Sequence, residues 1–397
     1  MTPEALYRSP NALAPHYSRF RVAERLLLTG HSHQAWPDRA LDGQVRAFLD
    51  AAELVDEKWE RAFAAAERVK RGIAERLDDP DGTYALSANT HELVVRWLSA
   101  LPLRRRPRLL TTDGEFHTLR RQLARLEEEG VEVVRVPAHP ADGVADRLAA
   151  ALDERTAAAL TSSVFFGTGE IASGLGEVAR AAERVGAELL VDAYHSLNVV
   201  PLSLPGEGLG GAFVVGGGYK YLQMGEGNAF LRVPPGRDLR PAVTGWFAEF
   251  ETLAEAREEG RVAYGPGAAA FAGATYDPTS HYRGAAVLDF FDDQGLTPEF
   301  LRQVSQHQIG LLARLFDDLD LPPALVDRDR ALPLERTGGF LALTSPRAGD
   351  LCRVLTARGV STDFRGEVLR LGPAPYLSDA QLEQAMAHLG EVAAALA

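Results

Sequence analysis

Cysteine is nearly absent from this chain of 397 residues: Cys352 is the only one. An internal disulfide is therefore excluded, and a reducing, cytoplasmic setting is the expectation. No stretch approaches eighteen uncharged apolar residues, so a membrane span is not expected. The opening MTPEALYRSPNALAPHYSRF carries charges and prolines but no apolar core, which argues against a secretory signal. Excess positive charge is also missing. The net charge is -13, which speaks against a nucleic-acid or anionic-membrane partner. The basic run Arg104, Arg105, Arg106 and the acidic run Glu127, Glu128, Glu129 read as solvated faces. Internal repeats and low-complexity tracts are lacking too. What is present is an ordinary globular balance, 46% hydrophobic and 24% charged, long enough for two or three compact units.

From about residue 41 the stretch AELVDEKWERAFAAAERVKRGIAERL places apolar residues at three- and four-residue spacing, a helical pattern. A second helix is predicted from Thr90 through ELVVRWLSAL. Short apolar strands and helices then alternate to about residue 235. The strands are PRLLTT, VEVVRVP, AAALTSSVFF, AELLVDAYHS, AFVVGGGYKYL and NAFLRV, with helices such as HTLRRQLARLEEEG and LGEVARAAERVG between them. This alternation predicts an α/β fold with a mostly parallel sheet covered on both faces. Ligands of such sheets bind beyond the carboxyl ends of the strands. Residues 237–285 are poorly periodic and rich in Gly, Pro and aromatics, as expected of an ordered site or interface segment. The expected division is a large domain over 41–285 and a smaller α+β domain from 286–397 together with 1–40.

Chemistry-bearing residues gather at the predicted strand ends. AELLVDAYHS delivers Asp192 and, three positions on, His195. A carboxylate at the end of an apolar strand is costly unless a cation meets it, and a protonated pyridine nitrogen is such a cation. A helix cap or a salt-bridged loop would also account for Asp192. Lys220 follows an apolar strand and three glycines, between Tyr219 and Tyr221. Desolvation there lowers its pKa and favours the nucleophilic free amine, and glycines allow close approach of a planar ligand. In SANTHEL, Thr90 reads as the cap of a helix whose N-terminus suits a phosphate, although capping alone explains it equally well. Phe116 in TTDGEFHTL follows a strand end and either stacks on a ring or belongs to the core.

The ordered segments ANTHEL, GEFHTL, VDAYHS, GGYKYLQMGEG, TGWF and VLRLGPAPYLS resemble the fold-type-I pyridoxal-5′-phosphate (PLP) enzymes of the class V aminotransferase group, and within it kynureninase. The resemblance spans roughly residues 25–395. It implies the aminotransferase-like fold, PLP as cofactor and Lys220 as its Schiff-base lysine. Asp192 would hold the pyridinium nitrogen with His195 beside the cofactor. Tyr219 would reach the phosphate or assist proton transfer, Thr90 and His91 would lie at the phosphate turn, and Phe116 would cover the ring. Trp246 and Thr275 would be contributed across a homodimer interface, and Arg370 would pair with the α-carboxylate of an amino-acid substrate. The implied reaction is hydrolysis of L-kynurenine to anthranilate and L-alanine, a step of tryptophan catabolism. The alternatives are an aminotransferase or epimerase acting on another amino acid, or a PLP-fold binding protein without turnover. Two departures bear on the substrate. Where kynureninases usually read G-N-S-L-G this chain has Gly30-His31-Ser32-His33-Gln34, and Thr275 stands where they commonly place an asparagine.

Other signals carry less. His31 and His33 have no Cys, Asp or Glu close in sequence to complete a metal site. GHSHQ lacks the last glycine of a hydrolase elbow, and GEGLGG at 206–211 matches neither a dinucleotide nor a P-loop pattern. Cys352, in the helical AGDLCRVLTARG, reads as core rather than as the loop nucleophile of a cysteine desulfurase.

Overall fold

The computed structural model describes residues 1–252 and 260–396. After a short helix α1 (Glu4–Tyr7) and strand β1 (Leu26–Leu27), the first long helical pattern forms two helices, α2 (Arg39–Leu54) and α3 (Lys58–Arg76). The break falls at Val55, whose φ is 51° and whose amide N–H donates to the Ala51 carbonyl. Both helices pack on a later one, α8 (Thr279–Gln294). The bend lets each apply its own apolar stripe to that helix, which the periodicity alone did not reveal.

The central layer is a seven-stranded sheet. Its members in chain order are β2 (Thr83–Ser87), β3 (Arg108–Thr112), β4 (Glu132–Val136), β5 (Thr156–Ser162), β6 (Glu188–Asp192), β7 (Phe213–Gly217) and β8 (Ala229–Val233). Their spatial order is 2-8-7-6-5-3-4. Strands 4, 3, 5, 6 and 7 are parallel, and β8 runs antiparallel to both β7 and β2. Every strand predicted between 108 and 233 is present; β2 is an additional one. The intervening helices are α4 (Thr90–Ala100), α5 (His117–Glu128), α6 (Val144–Ala151) and α7 (Leu175–Val185), the last closed by Gly186 in the left-handed conformation.

Strand side chains alternate between two cores, as the two-residue period of a pleated strand dictates. Leu189, Val191, Val214 and Phe230 face one core, shared with Val144 and Leu148 of α6 and Val178 of α7. Leu190, Phe213, Val215 and Leu231 face the other, with Leu93, Trp97 and Leu98 of α4 and Leu119 and Leu123 of α5. The sheet is thus doubly covered, and only its edges can present polar chemistry. One charge is buried in it. Arg232 of β8 donates to both Asp79 carboxylate oxygens, at 2.8 and 2.6 Å, and to the carbonyls of Gly210 and Ala212. Removing one partner of so enclosed a pair typically costs about 3–5 kcal/mol.

Beyond α8 the chain forms α9 (Pro298–Asp318), β9 (Leu341–Thr344), α10 (Ala348–Ala357), β10 (Val360–Ser361), β11 (Asp363–Arg365), β12 (Val368–Leu371) and α11 (Asp379–Leu396). Strands β11, β12 and β9 make an antiparallel sheet. The N-terminal segment joins this region: β1 pairs in parallel with β10, and Thr29 bridges to Gly372. That pairing carries the segment at 30–34 toward the carboxyl edge of the large sheet, where the Gln34 amide meets the Tyr219 carbonyl at 3.5 Å.

Candidate active site

Adjacent parallel strands bring the polar residues of VDAYHS and GGYKYL together. In register, Ser162 of β5 lies beside Asp192 of β6, and Asp192 beside Val215 of β7. Lys220 lies three positions past the end of β7. The small pocket at this edge is lined by Thr90, Val94, Phe116, Thr118, Leu119, Asp192, Tyr194, His195, Val215, Tyr219 and Lys220. Six of the ten sequence-predicted site residues therefore converge: Lys220, Asp192, His195, Tyr219, Phe116 and Thr90.

Lys220 is 5% exposed. Its Nζ lies 2.7 Å from His195 Nε2 and 4.9 Å from the centre of the Tyr194 ring, with Phe116 and Tyr219 at 5.5 and 5.7 Å. Burial pulls its pKa down to about 7, against the opposing pull of Asp192. Burial also pushes Asp192 above the ordinary carboxylate value, although the Tyr194 amide donates to it at 2.8 Å and Lys220 favours its charge. His195 is held neutral by burial first and then by the nearby charge of Lys220. With Nε2 accepting from the lysine when it is protonated, the trio can relay one proton without leaving a charge bare.

Among the described residues no Lys, Arg or His stands within ion-pair distance of Asp192. A recessed carboxylate lacking a cation, next to an amine and under an aromatic ring, fits a protonated pyridine ring whose aldehyde meets the amine. The residues present therefore suit PLP. No group of three or more potential metal ligands occurs among the described residues.

The helix that follows β2 is capped differently from the expectation. Asn89, not Thr90, is its N-cap, accepting from the Glu92 amide at 3.0 Å. Thr90 is the first helical residue, in the pocket wall, while His91 is exposed and outside it. The three glycines before Lys220 serve packing. A Cβ on Gly217 would come within 2.3 Å of the Tyr194 hydroxyl, and one on Gly216 within 2.8 Å of the Phe230 ring.

Trp246 and Thr275 meet each other, not Lys220. The indole N–H donates to the Thr275 hydroxyl at 3.2 Å, and Trp246 is exposed. Thr275 lines a separate open cleft of about 1700 Å3 with Glu92, Arg96 and Phe247. Arg370, 3% exposed, is already engaged. Its Nε and Nη2 donate to the two oxygens of Asp363, at 2.8 and 2.6 Å, and its Nη1 to the Phe166 carbonyl at 2.7 Å.

Sequence reasoning missed Tyr194, Glu115 and Asp363. Tyr194 lies inside the DAYH segment, where the ionisable Asp192 and His195 carry the more obvious chemistry. Glu115 is fully enclosed and accepts from Thr112 Oγ1 and from the amide and hydroxyl of Ser162. Burial lifts it to about 7. Asp363 accepts from His31 Nε2 at 2.7 Å as well as from Arg370, an association over 332 positions of sequence that no local pattern could reveal. Cys352 is half-buried, its thiol 3.4 Å from the Thr362 carbonyl.

This chain is similar to known proteins in both sequence and fold. A family model for the kynureninase C-terminal domain matches residues 323–389. Kynureninase of Xanthomonas campestris pv. campestris is 28% identical over 348 residues, covering 82% of this chain and 79% of that protein. Kynureninase of Bacillus thuringiensis subsp. konkukian is 27% identical over 303 residues, covering 73% and 68%. Among solved structures, a variant of the cystine C-S lyase C-DES with glycine covalently linked to its PLP cofactor superposes with a TM-score of 0.81 at 16% identity, covering 95% of this chain and 98% of that one. The cysteine desulfurase of Thermococcus onnurineus gives 0.77 at 15%, covering 94% and 95%. The chain thus carries the aminotransferase-like fold of type-I PLP-dependent enzymes, and its sequence is similar to that of kynureninases.

Proposed function

We propose that this protein is a PLP-dependent enzyme acting on an amino acid, with Lys220, Asp192, His195, Tyr219, Phe116 and Thr90 forming the cofactor site. The observation that carries the reading is the buried Lys220 amine, 2.7 Å from His195 and one strand away from a carboxylate that has no ion-pair partner among the described residues. Bound there, the cofactor supplies an aldehyde for amines and a ring that withdraws electrons from Cα. The chain's own residues do the rest. Asp192 would hold the proton on the ring nitrogen, Lys220 would accept the proton from the substrate Cα, and His195 would share that charge. Phe116 covers the site against water, Tyr219 orients the cofactor, and Arg370 takes the substrate carboxylate.

The activity we assign is kynureninase-type hydrolysis, supported by the sequence likeness to two bacterial kynureninases. The Cβ–Cγ bond of L-kynurenine breaks, the hydroxyl of water joins the acyl carbon to give anthranilate, and the remaining fragment is protonated to L-alanine. A transaminase reading keeps the same cofactor residues. We further assign a homodimer. Its support is the row Val45, Phe48 and Leu49 on one face of α2, where Phe48 is 74% exposed, together with exposed Trp246 and Phe250. We place the protein in the cytoplasm; no helix among the described residues is long and apolar enough to cross a membrane.

The test starts with an absorption spectrum of the purified protein with PLP, before and after borohydride, then incubation with L-kynurenine. Anthranilate and alanine in equal amounts are expected. A keto acid instead would assign transamination, and an unreduced, colourless protein would remove the cofactor reading.

A further inference from the structure

Arg370 is commonly the kind of residue that meets a carboxylate, yet here its best edge is occupied. A guanidinium has five N–H groups: one on Nε and two on each terminal nitrogen. Asp363 takes the Nε and one Nη2 hydrogen through its two oxygens, and the Phe166 carbonyl takes one from Nη1. One N–H is left on each terminal nitrogen. The side-on fork is closed, so a ligand is left with the N–H groups still free on the two terminal nitrogens.

Asp363 is itself fixed. His31 Nε2 lies 2.7 Å from Asp363 Oδ1, and Arg365 approaches the other oxygen at 3.8 Å. His31 is fully enclosed beneath Phe340, with Nδ1 lacking a hydrogen-bond partner among the described residues. A Cβ at Gly372 would stand 2.1 Å from that nitrogen, so nothing but glycine fits there. Burial pulls His31 down to about 4, so it is neutral at ordinary pH and must carry its hydrogen on Nε2 to serve the carboxylate. Burial opposes ionisation of Asp363, but the hydrogen bonds from His31 and Arg370 prevail and hold it below the usual carboxylate range. The trio is therefore close to electroneutral. The other end of the clamp reaches the pocket: the Phe166 ring packs edge-on to Phe116 at 5.2 Å and lies 6.4 Å from His195.

We infer that Asp363, held by His31, is a positioning residue that aims Arg370 so that its remaining terminal N–H groups receive the substrate carboxylate. The inference rests on the reading of Arg370 given above. It makes a prediction opposite to simple charge bookkeeping. Removing the Asp363 charge leaves a less neutralised arginine, which by electrostatics alone would bind a carboxylate more tightly. If aim matters more, binding weakens.

The probes are L-kynurenine and kynuramine, the same molecule without its carboxylate. Each is titrated into the PLP-loaded enzyme and followed by the cofactor absorbance. The expected result is a wild type that prefers the acid. In Asp363→Asn that preference should fall by about fivefold or more with kynuramine affinity unchanged, since a bidentate fork has lost its partner. His31→Asn should lower the preference by a smaller factor. Circular dichroism checks folding; should Asp363→Asn not fold, Asp363→Glu replaces it, keeping the charge and shifting the fork, with the same fall expected. A preference retained or increased in a folded variant overturns the inference alone. A wild type indifferent to the carboxylate overturns the Arg370 assignment and this inference with it.

Discussion

Two polar clusters sit a few side chains apart and are built on opposite plans. Lys220, Asp192 and His195 come from one stretch of 29 residues (192 through 220, counted inclusively) at two neighbouring strand ends, and their charges are poorly matched. Burial keeps the amine near neutrality and raises the acid, and among the described residues no fixed counter-ion touches Asp192. His31, Asp363 and Arg370 come from the two ends of the chain and match one another almost completely. The first cluster is unsatisfied and therefore reactive; the second is satisfied and therefore rigid. Poorly compensated buried groups mark sites of chemistry, whereas paired ones hold geometry.

The comparison can be broken most severely at the reactive end. Lys220→Ala should lower turnover by about 10³-fold or more, because nucleophile and proton carrier are lost together. No borohydride-reducible adduct should form at that position, which mass spectrometry of the reduced protein would check. Asp192→Asn keeps the shape but withdraws the charge. Turnover should fall by about 10²-fold and PLP should bind more weakly, as measured by equilibrium dialysis.

At the rigid end a smaller effect is expected, and of a different kind. Arg370→Lys removes the planar fork and keeps the charge, so KM for the amino acid should rise about tenfold while kcat changes less. Equal losses in both constants would move Arg370 from binding to the chemical step. Changing pH should act on the reactive cluster alone. The folded cofactor-free protein holds Lys220 at about 7 against an ordinary value of 10.5. The free amine is the form that condenses with an aldehyde, so PLP uptake should quicken with rising pH through about 7. The rate at pH 8 should exceed that at pH 6 by about tenfold, from the neutral fraction at each pH. Linkage has the same sign: between 7 and 10.5 the unfolded chain holds the proton that the fold has released, so stability rises with pH there and is flat below. Urea midpoints of cofactor-free wild type and Lys220→Met at pH 7 and pH 9 would show the difference.

By itself the sequence determined the alternation of strands and helices, the mostly parallel sheet and the placement of Asp192 and Lys220 at its carboxyl edge. These follow from periodicity and from the cost of burying charge, both of which act over a few residues. It also supplied His195 and Tyr219 as neighbours, because they flank those strand ends directly, whereas Phe116, past the end of β3, joined them only through the family resemblance. The short strand β2 stayed hidden, since five residues of TYALS carry too little pattern to stand out from a loop. The bend at Val55 stayed hidden because the helical spacing runs through it, and the shared partner α8 lies more than two hundred residues on. Only the tertiary structure decided that Trp246 pairs with Thr275 away from Lys220, that Asn89 and not Thr90 caps α4, and that Arg370 is gripped by Asp363 under His31. Hydrogen bonds between the chain's two ends leave no trace in local spacing; they exist because β1 pairs with β10 and brings position 31 beside position 363.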